Sequence, residues 1–202
     1  MLPVVLVLIA YLSGSLPFSV WLGKLFLHRD VLRVGDGNPG AANVFRAGGR
    51  LVGLLVLVLD ISKAAVPVGW AYFNLGLRGA AMCCVALAPV LGHVFSPFLG
   101  FKGGKAISAA FGVWIGLTLW KASLPGILGV LFGLALFTMP GWMVMAGMAG
   151  ILAALLLWMP DPLLLSVWVG EVLLLAWTHR ADLRRGPRLR PWVVHLFRPL
   201  KG

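Results

Sequence analysis

Apolar residues run along the chain in long blocks, and the polar residues are gathered in the gaps between them. A helix needs about 20 apolar residues to cross a hydrocarbon core. Blocks that approach this length fall at 3–26, 51–73 and 80–99, with four more at 104–119, 124–139, 142–158 and 163–178. The last four are shorter, and Pro125, Pro140, Pro160 and Pro162 are their firmest punctuation. The pattern predicts an all-α, polytopic integral membrane protein of about seven transmembrane helices, forming one domain over residues 1–202. The first block lacks a basic leader and a small-residue cleavage site, so it is expected to remain as a span rather than to act as a signal peptide.

An odd number of spans puts the termini on opposite sides, and the basic residues choose the orientation. With the N-terminus outside and the C-terminus cytoplasmic, only Arg78 and Lys121 of the 17 Lys and Arg face the exterior. The loop 29–50, the segment 92–106 and a basic amphipathic tail from about residue 180 then share the cytoplasmic face. The end of that tail, PWVVHLFRPLKG, mixes aromatic, aliphatic and basic residues and reads as an interfacial anchor, with His195 at headgroup level.

Composition narrows the class further. A chain with 60% hydrophobic and 11% charged residues and mean hydropathy +0.97 lies outside the soluble globular range. The excess of 17 basic over 6 acidic residues would suit nucleic acid, but the basic residues form no polar surface that could lie along a duplex. Their placement suits loops facing anionic lipid. Cys83 and Cys84 are adjacent within an apolar block and match neither a disulfide framework nor zinc-ligand spacing. No metal or cofactor is expected, and oligomeric state is not legible. Gly112-x-x-x-Gly116 and Gly129-x-x-x-Gly133 suit close helix packing.

Chemistry concentrates in the segment GHVFSPFLGFKGGKA, 92–106, which brings His93, Lys102 and Lys105 together with Gly103 and Gly104. Glycine lets peptide N–H groups approach a ligand, and Lys105 falls where a helix is expected to begin, so the segment reads as an anion seat. Taken alone, Gly-Gly is also a simple turn and the lysines mark a cytoplasmic helix end. A nucleotide-binding P-loop is excluded, because Leu99 and Ala106 stand where glycine and a hydroxyl are required.

The first loop, RVGDGNPGAANVFR, carries Asp36, Gly37, Asn38 and Gly40 in a turn, followed by Asn43 and Arg46 three residues apart on one helix face. The Arg46 fork suits phosphate or carboxylate, although the loop by itself is also an ordinary solvated turn. Asp60 and Lys63 lie three apart inside the second block, either neutralising one another or placing Lys63 on a polar cavity. Glu171 suits a buried structural hydrogen bond or a protonated carboxyl. His179 ends the last block and titrates near neutrality, so it can serve either as an interfacial residue or in proton transfer.

Three of these segments together resemble the acyl-phosphate:glycerol-3-phosphate acyltransferases of bacterial membranes: GDGNPGAANVFR, GHVFSPFLGFKGGKA and THRADL, with a lesser match at LDISKA. The resemblance covers essentially the whole chain. It implies a seven-helix enzyme of the inner membrane, with its groove at the cytoplasmic face. Such enzymes move a fatty acyl group from acyl phosphate to the 1-hydroxyl of glycerol 3-phosphate, giving lysophosphatidic acid and inorganic phosphate. By that similarity Asn38, Asn43, Arg46, Lys63, His93, Gly103, Gly104, Lys105 and His179 line the site. With the neighbouring residues of the same segments added, His179, Arg46, Lys105 and Asp36 are the candidate catalytic residues, and Gly37, Asn38, Gly40, Asn43, Lys63, His93, Lys102, Gly103, Gly104 and Asp182 the candidate binding residues. The glycerophosphate acyltransferases that use a His-x-x-x-x-Asp pair are excluded, since no histidine here has an aspartate five residues on.

Family members usually carry serine at the position of Asp36 and asparagine at that of Asp182, and their later glutamate is missing from the RRGPRLR tail. A carboxylate about 5 Å from a phosphate opposes binding by roughly 3 kcal/mol per unit charge at an effective dielectric near 20. Three readings follow. The chain keeps the family activity, with Asp36 paired to Arg46 or Arg33 or acting as a base; or it acylates another acceptor; or it is a non-catalytic anion- or lipid-binding membrane protein or transporter. The inverted repeats that would favour a transporter are absent.

Overall fold

The computed structural model describes residues 1–196. Residues 197–202, the end of the expected interfacial anchor, lie outside the described residues, as does the side chain of His195.

The first apolar block is not one helix but two, α1 (Leu2–Ser15) and α2 (Phe18–Leu27). Proline has no N–H and disfavours helical backbone in the residue before it, and Leu16 accordingly turns to φ −60°, ψ 118° ahead of Pro17. A short helix α3 (Ala41–Arg46) leads into α4 (Arg50–Gly69), which widens into a π-helical turn at Trp70–Asn74. Next come α5 (Gly79–Val94), α6 (Ile107–Thr118), α7 (Trp120–Leu136), α8 (Pro140–Trp158) and α9 (Pro162–Thr178). Two short helices, α10 (Arg180–Leu183) and α11 (Pro191–Leu196), end the described chain.

Among the described residues, four stretches are long and apolar enough to cross a membrane: Leu2–Leu27, Arg50–Asn74, Gly79–Leu99 and Pro140–Trp158. α6, α7 and α9 are shorter apolar helices, and α6, with 12 residues, is shortest. At about 1.5 Å per residue it reaches roughly 18 Å, well under a hydrocarbon core of about 30 Å. The block expected at 104–119 loses its first three residues to a loop tied elsewhere.

The core is built of small side chains. Ala64, Ala86, Ala109, Ala110, Val85 and Val113 pack around the buried ring of Trp114, while Trp70, Phe132, Leu157, Trp158 and Leu173 point outward. Small residues inside let helices pack closely where lipid offers no hydrophobic drive. At the α1–α5 crossing a Cβ on Gly14 would overlap the Pro89 backbone, and one on Gly92 would overlap the Tyr11 carbonyl. The two spaced glycine pairs also sit at contacts, Gly112 and Gly116 against α4 and Gly129 and Gly133 against α8.

Buried polar groups find partners across the helix break. Lys63 Nζ pairs with Asp60 Oδ1 at 2.7 Å and donates to Leu16 O at 2.8 Å. That carbonyl stands beside the interruption at Pro17, where no continuing helix would engage it. Ser13 Oγ donates to Lys63 O, and Ser96 Oγ to Ser15 O. Glu171 forms the structural hydrogen bond expected of it, accepting from Trp114 Nε1 at 2.6 Å. The chain after α10 straps the end of α7, where Arg190 N, Arg190 Nε and Trp192 Nε1 donate to the carbonyls of Leu136, Leu134 and Ala135. These are terminal carbonyls that α7 itself leaves open.

Candidate active site

Asp36 lies between two glycines with left-handed backbone, Gly35 at φ 60° and Gly37 at φ 71°. Only glycine takes such angles without strain, and the resulting turn sets the half-exposed carboxylate beside Asn43 and Lys105. Its Oδ1 accepts from Asn43 Nδ2 at 2.9 Å and from Asn38 N at 3.3 Å. One face of α3 supports it: Asn43 Oδ1 accepts from Arg46 Nη1 at 2.8 Å, and that same Nη1 stands 3.8 Å from Asp36 Oδ1. Arg33 instead pairs with Asp30.

Three remote segments meet at Lys105. Its N–H donates to Asn38 Oδ1 at 2.9 Å, and its carbonyl accepts from Thr178 Oγ1 at 3.3 Å. Its Nζ lies 2.9 Å from Asp36 Oδ2. The first loop, the glycine segment and the end of α9 are thereby joined through one residue.

Two expectations about this segment need correction. The N–H groups of Gly103 and Gly104 do not face a ligand, because they donate to Val94 O and His93 O at 2.9 and 3.0 Å. The pairing folds the segment back on α5, with Gly103 so close that a Cβ would overlap the His93 carbonyl. Lys105 also does not open a helix: Ala106 takes a left-handed conformation and α6 starts at Ile107. The polar groups presented there are side chains rather than glycine amides.

A cavity of about 720 Å³ opens beside Lys105. Asp36, Asn38, Lys102, Lys105, Thr178 and Arg180 form its polar side, with Gly37, Gly103 and Gly104 in the wall. Phe95, Phe101 and Trp177 form an aromatic side, where Phe95 and Trp177 lie 5.4 Å apart and Arg180 covers Trp177 at 4.9 Å. Behind Asn38 and Lys105, a second cavity of about 280 Å³ includes Gly40 and His93. Arg46 and Asn43 support Asp36 without lining the main cavity.

Other candidates stand apart. Lys63 is buried against Asp60 on a void of about 10 Å³ that shares Pro39, Leu99 and Gly104 with the wall of the main cavity, so it lies behind that wall rather than on the cavity itself. Asp182 caps α8, its Oδ2 accepting from Gly141 N at 3.1 Å, so this carboxylate serves a helix N-terminus. His179 is 1% exposed and lies behind the wall formed by its neighbours Thr178 and Arg180. Its Nδ1 is within hydrogen-bonding distance of Leu175 O and Thr178 Oγ1.

Sequence reasoning missed the aromatic wall and the roles of Thr178 and Arg180. Both residues adjoin His179 in THRADL, and Phe95 and Phe101 lie within the glycine segment, so proximity in sequence was the available signal.

The charges set the chemistry. Partial burial pushes the Asp36 carboxyl up, but hydrogen bonds from Lys105 and Asn43 and the charge of Lys105 outweigh it and hold the group at about 2. Burial pushes the His179 imidazole below its ordinary value, with the charge of Lys105 acting in the same direction. At neutral pH the site therefore holds an ionised carboxylate and a neutral imidazole.

Residues 4–187 match the family model described as glycerol-3-phosphate acyltransferase. A glycerol-3-phosphate acyltransferase of Anaeromyxobacter dehalogenans (strain 2CP-C) is 41% identical over 194 residues, which cover 92% of this chain and 94% of that one. One from Pseudoalteromonas translucida is 37% identical, covering 92% and 89%. The crystal structure of PlsY (YgiH), an integral membrane glycerol 3-phosphate acyltransferase in its glycerol 3-phosphate form, superposes with TM-score 0.83 at 29% identity, covering 98% of this chain and 100% of that one. Its lysophosphatidic acid form gives 0.75 at 28%. The chain is an all-α, multi-pass integral membrane protein with four long apolar spans and shorter apolar helices between and after them. Matched by the model over most of its length and by relatives well above 30% identity, it belongs to the glycerol-3-phosphate acyltransferase family.

Proposed function

We propose that the chain transfers a fatty acyl group from acyl phosphate to the 1-hydroxyl of glycerol 3-phosphate, giving lysophosphatidic acid and inorganic phosphate at the cytoplasmic face of a bacterial inner membrane. In this reading the short helices α6, α7 and α9 also cross, giving seven crossings with the N-terminus outside. The observation that carries it is the convergence on Lys105 of Asp36 and Asn38, of the glycine segment and of Thr178. A cavity lined by both cationic and aromatic side chains suits ligands with a phosphoryl head and an acyl tail.

Lys102, Lys105 and Arg180 bring positive charge to two phosphate-bearing substrates, and Arg46 reinforces it from behind Asp36. Held side by side, the substrates react without an acyl-enzyme, since acyl phosphate is already activated. The acceptor hydroxyl oxygen bonds to the carbonyl carbon, and the bond from that carbon to the phosphate oxygen breaks with its electron pair leaving on phosphate. The hydroxyl proton passes to an oxygen of the departing phosphate. Asp36, at about 2, is too weak a base for this task, and the His179 ring is buried off the cavity. Asn38, Asn43, Thr178 and His179 act as positioning residues around Lys105 and Asp36.

Purified protein in lipid, given palmitoyl phosphate and glycerol 3-phosphate, is expected to release orthophosphate and form lysophosphatidic acid faster than acyl phosphate hydrolyses unaided. Lys105→Ala should lower kcat/KM by about 100-fold, as removal of a charge-stabilising donor does elsewhere. Acylation of glycerol but not of glycerol 3-phosphate would overturn the assigned acceptor.

A further inference from the structure

The polar side of the main cavity already contains an anion, and it belongs to the protein. Asp36 Oδ2 lies 2.9 Å from Lys105 Nζ, the one hydrogen-bond partner of that ammonium among the described residues. Its other oxygen is held by Asn43 and faces Arg46 at 3.8 Å. The carboxylate thus occupies the cation that a phosphoryl group entering the cavity would seek. The Asp36 side chain is 46% exposed, so an entering anion can reach the pair.

We propose that Asp36 is an internal competitor for the phosphate seat, which a phosphate ester displaces from Lys105 but which holds orthophosphate off. Displacement swaps one contact. Lys105 Nζ leaves Asp36 Oδ2 for a phosphate oxygen, while Asp36 keeps Asn43 and Arg46. Every incoming phosphate meets the same opposition, but the ligands differ in what offsets it. An acyl chain against Phe95, Phe101 and Trp177, or the hydroxyls of a glycerol ester, add binding that orthophosphate lacks. The opposition leaves the ratio of affinities unchanged, but it raises every dissociation constant, so orthophosphate, the ligand with least to offset it, is the first to fall below occupancy and leaves readily. The choice of acyl and glycerol phosphates as displacing ligands, and of orthophosphate as a product, rests on the activity proposed above; the competition between Asp36 and orthophosphate does not.

Equilibrium dialysis of labelled orthophosphate against the full chain in lipid nanodiscs tests this without turnover. Asp36→Asn and Asp36→Ser are expected to bind orthophosphate about tenfold more tightly than the parent, the scale of one charge-assisted contact released. In a Lys105→Met background the Asp36→Asn change should give no such gain. Thermal melts establish that the variants are folded, with serine as the second variant if asparagine is not tolerated. Binding no tighter in either variant would overturn the proposal, as would an equal gain in the Lys105→Met background, which would mark a general field rather than competition for one ammonium. A chain that gains orthophosphate affinity on Asp36→Asn yet transfers no acyl group would sink the assigned activity and leave this inference standing.

Discussion

Lys63 carries a charge into the membrane region with 3% of its side chain exposed, and three oxygen-bearing groups surround its position: the Asp60 carboxylate, the Leu16 carbonyl and, at its own backbone, Ser13. Removing one member of such a buried pair strands the other, at a cost of about 3–5 kcal/mol. Lys63→Ala should therefore lower the melting temperature sharply in detergent. The double change Asp60→Leu with Lys63→Met should lower it less, and a double variant that melts below the single one would refute the pairing argument. Asp36 offers a pH handle. Its carboxyl sits at about 2 in the folded chain against an ordinary 3.8, so ionisation favours the folded state. That contribution is present in full above about pH 4 and fades as pH falls from 3.8 towards 2. The melting-temperature gap between the parent and Asp36→Asn should close over that interval; a gap that opens with acid would contradict the pairing with Lys105.

Among the helices, the crossing of α1 and α5 depends on two glycines, each set against the partner helix's backbone, Gly14 on Pro89 and Gly92 on Tyr11. The contacts are with backbone, which cannot rotate aside as a long side chain can. Gly92→Leu should force the helices apart and destabilise the protein by about 3 kcal/mol or more, the upper range for overpacking. Activity should fall with it, because Val94 and His93, directly after Gly92, accept the N–H groups that shape the Lys105 segment. Full activity and unchanged melting in that variant would show that the crossing tolerates separation. The breaks at Pro140 and Pro162 are visible in the sequence, since each acts on its own helix, whereas the first block reads as one span and hides its break at Pro17. Which helix each glycine meets is not visible, since the glycine pairs with a backbone far along the chain.

At the scale of the whole molecule, the orientation proposed for the chain puts Lys121 outside and Arg184 inside. With Cys83 and Cys84 replaced by alanine, a single cysteine at position 121 should react with a membrane-impermeant maleimide in intact cells. One at position 184 should react only after the membrane is opened. The reverse pattern would invert the topology. The sequence by itself determined the apolar blocks, the positive-inside bias, the polar segments that carry chemistry and the pairing of Asn43 with Arg46 along one turn of α3. All of these follow from local properties: transfer of side chains into lipid, backbone angles allowed to glycine and proline, and helical periodicity. Only the tertiary structure decided that Asp36 meets Lys105 from 69 residues away, that Lys63 reaches Leu16 across 47, and that the glycine amides close on α5. A buried donor takes whichever acceptor the packing leaves open, and that choice is settled by all the helices together, so no single segment could announce it.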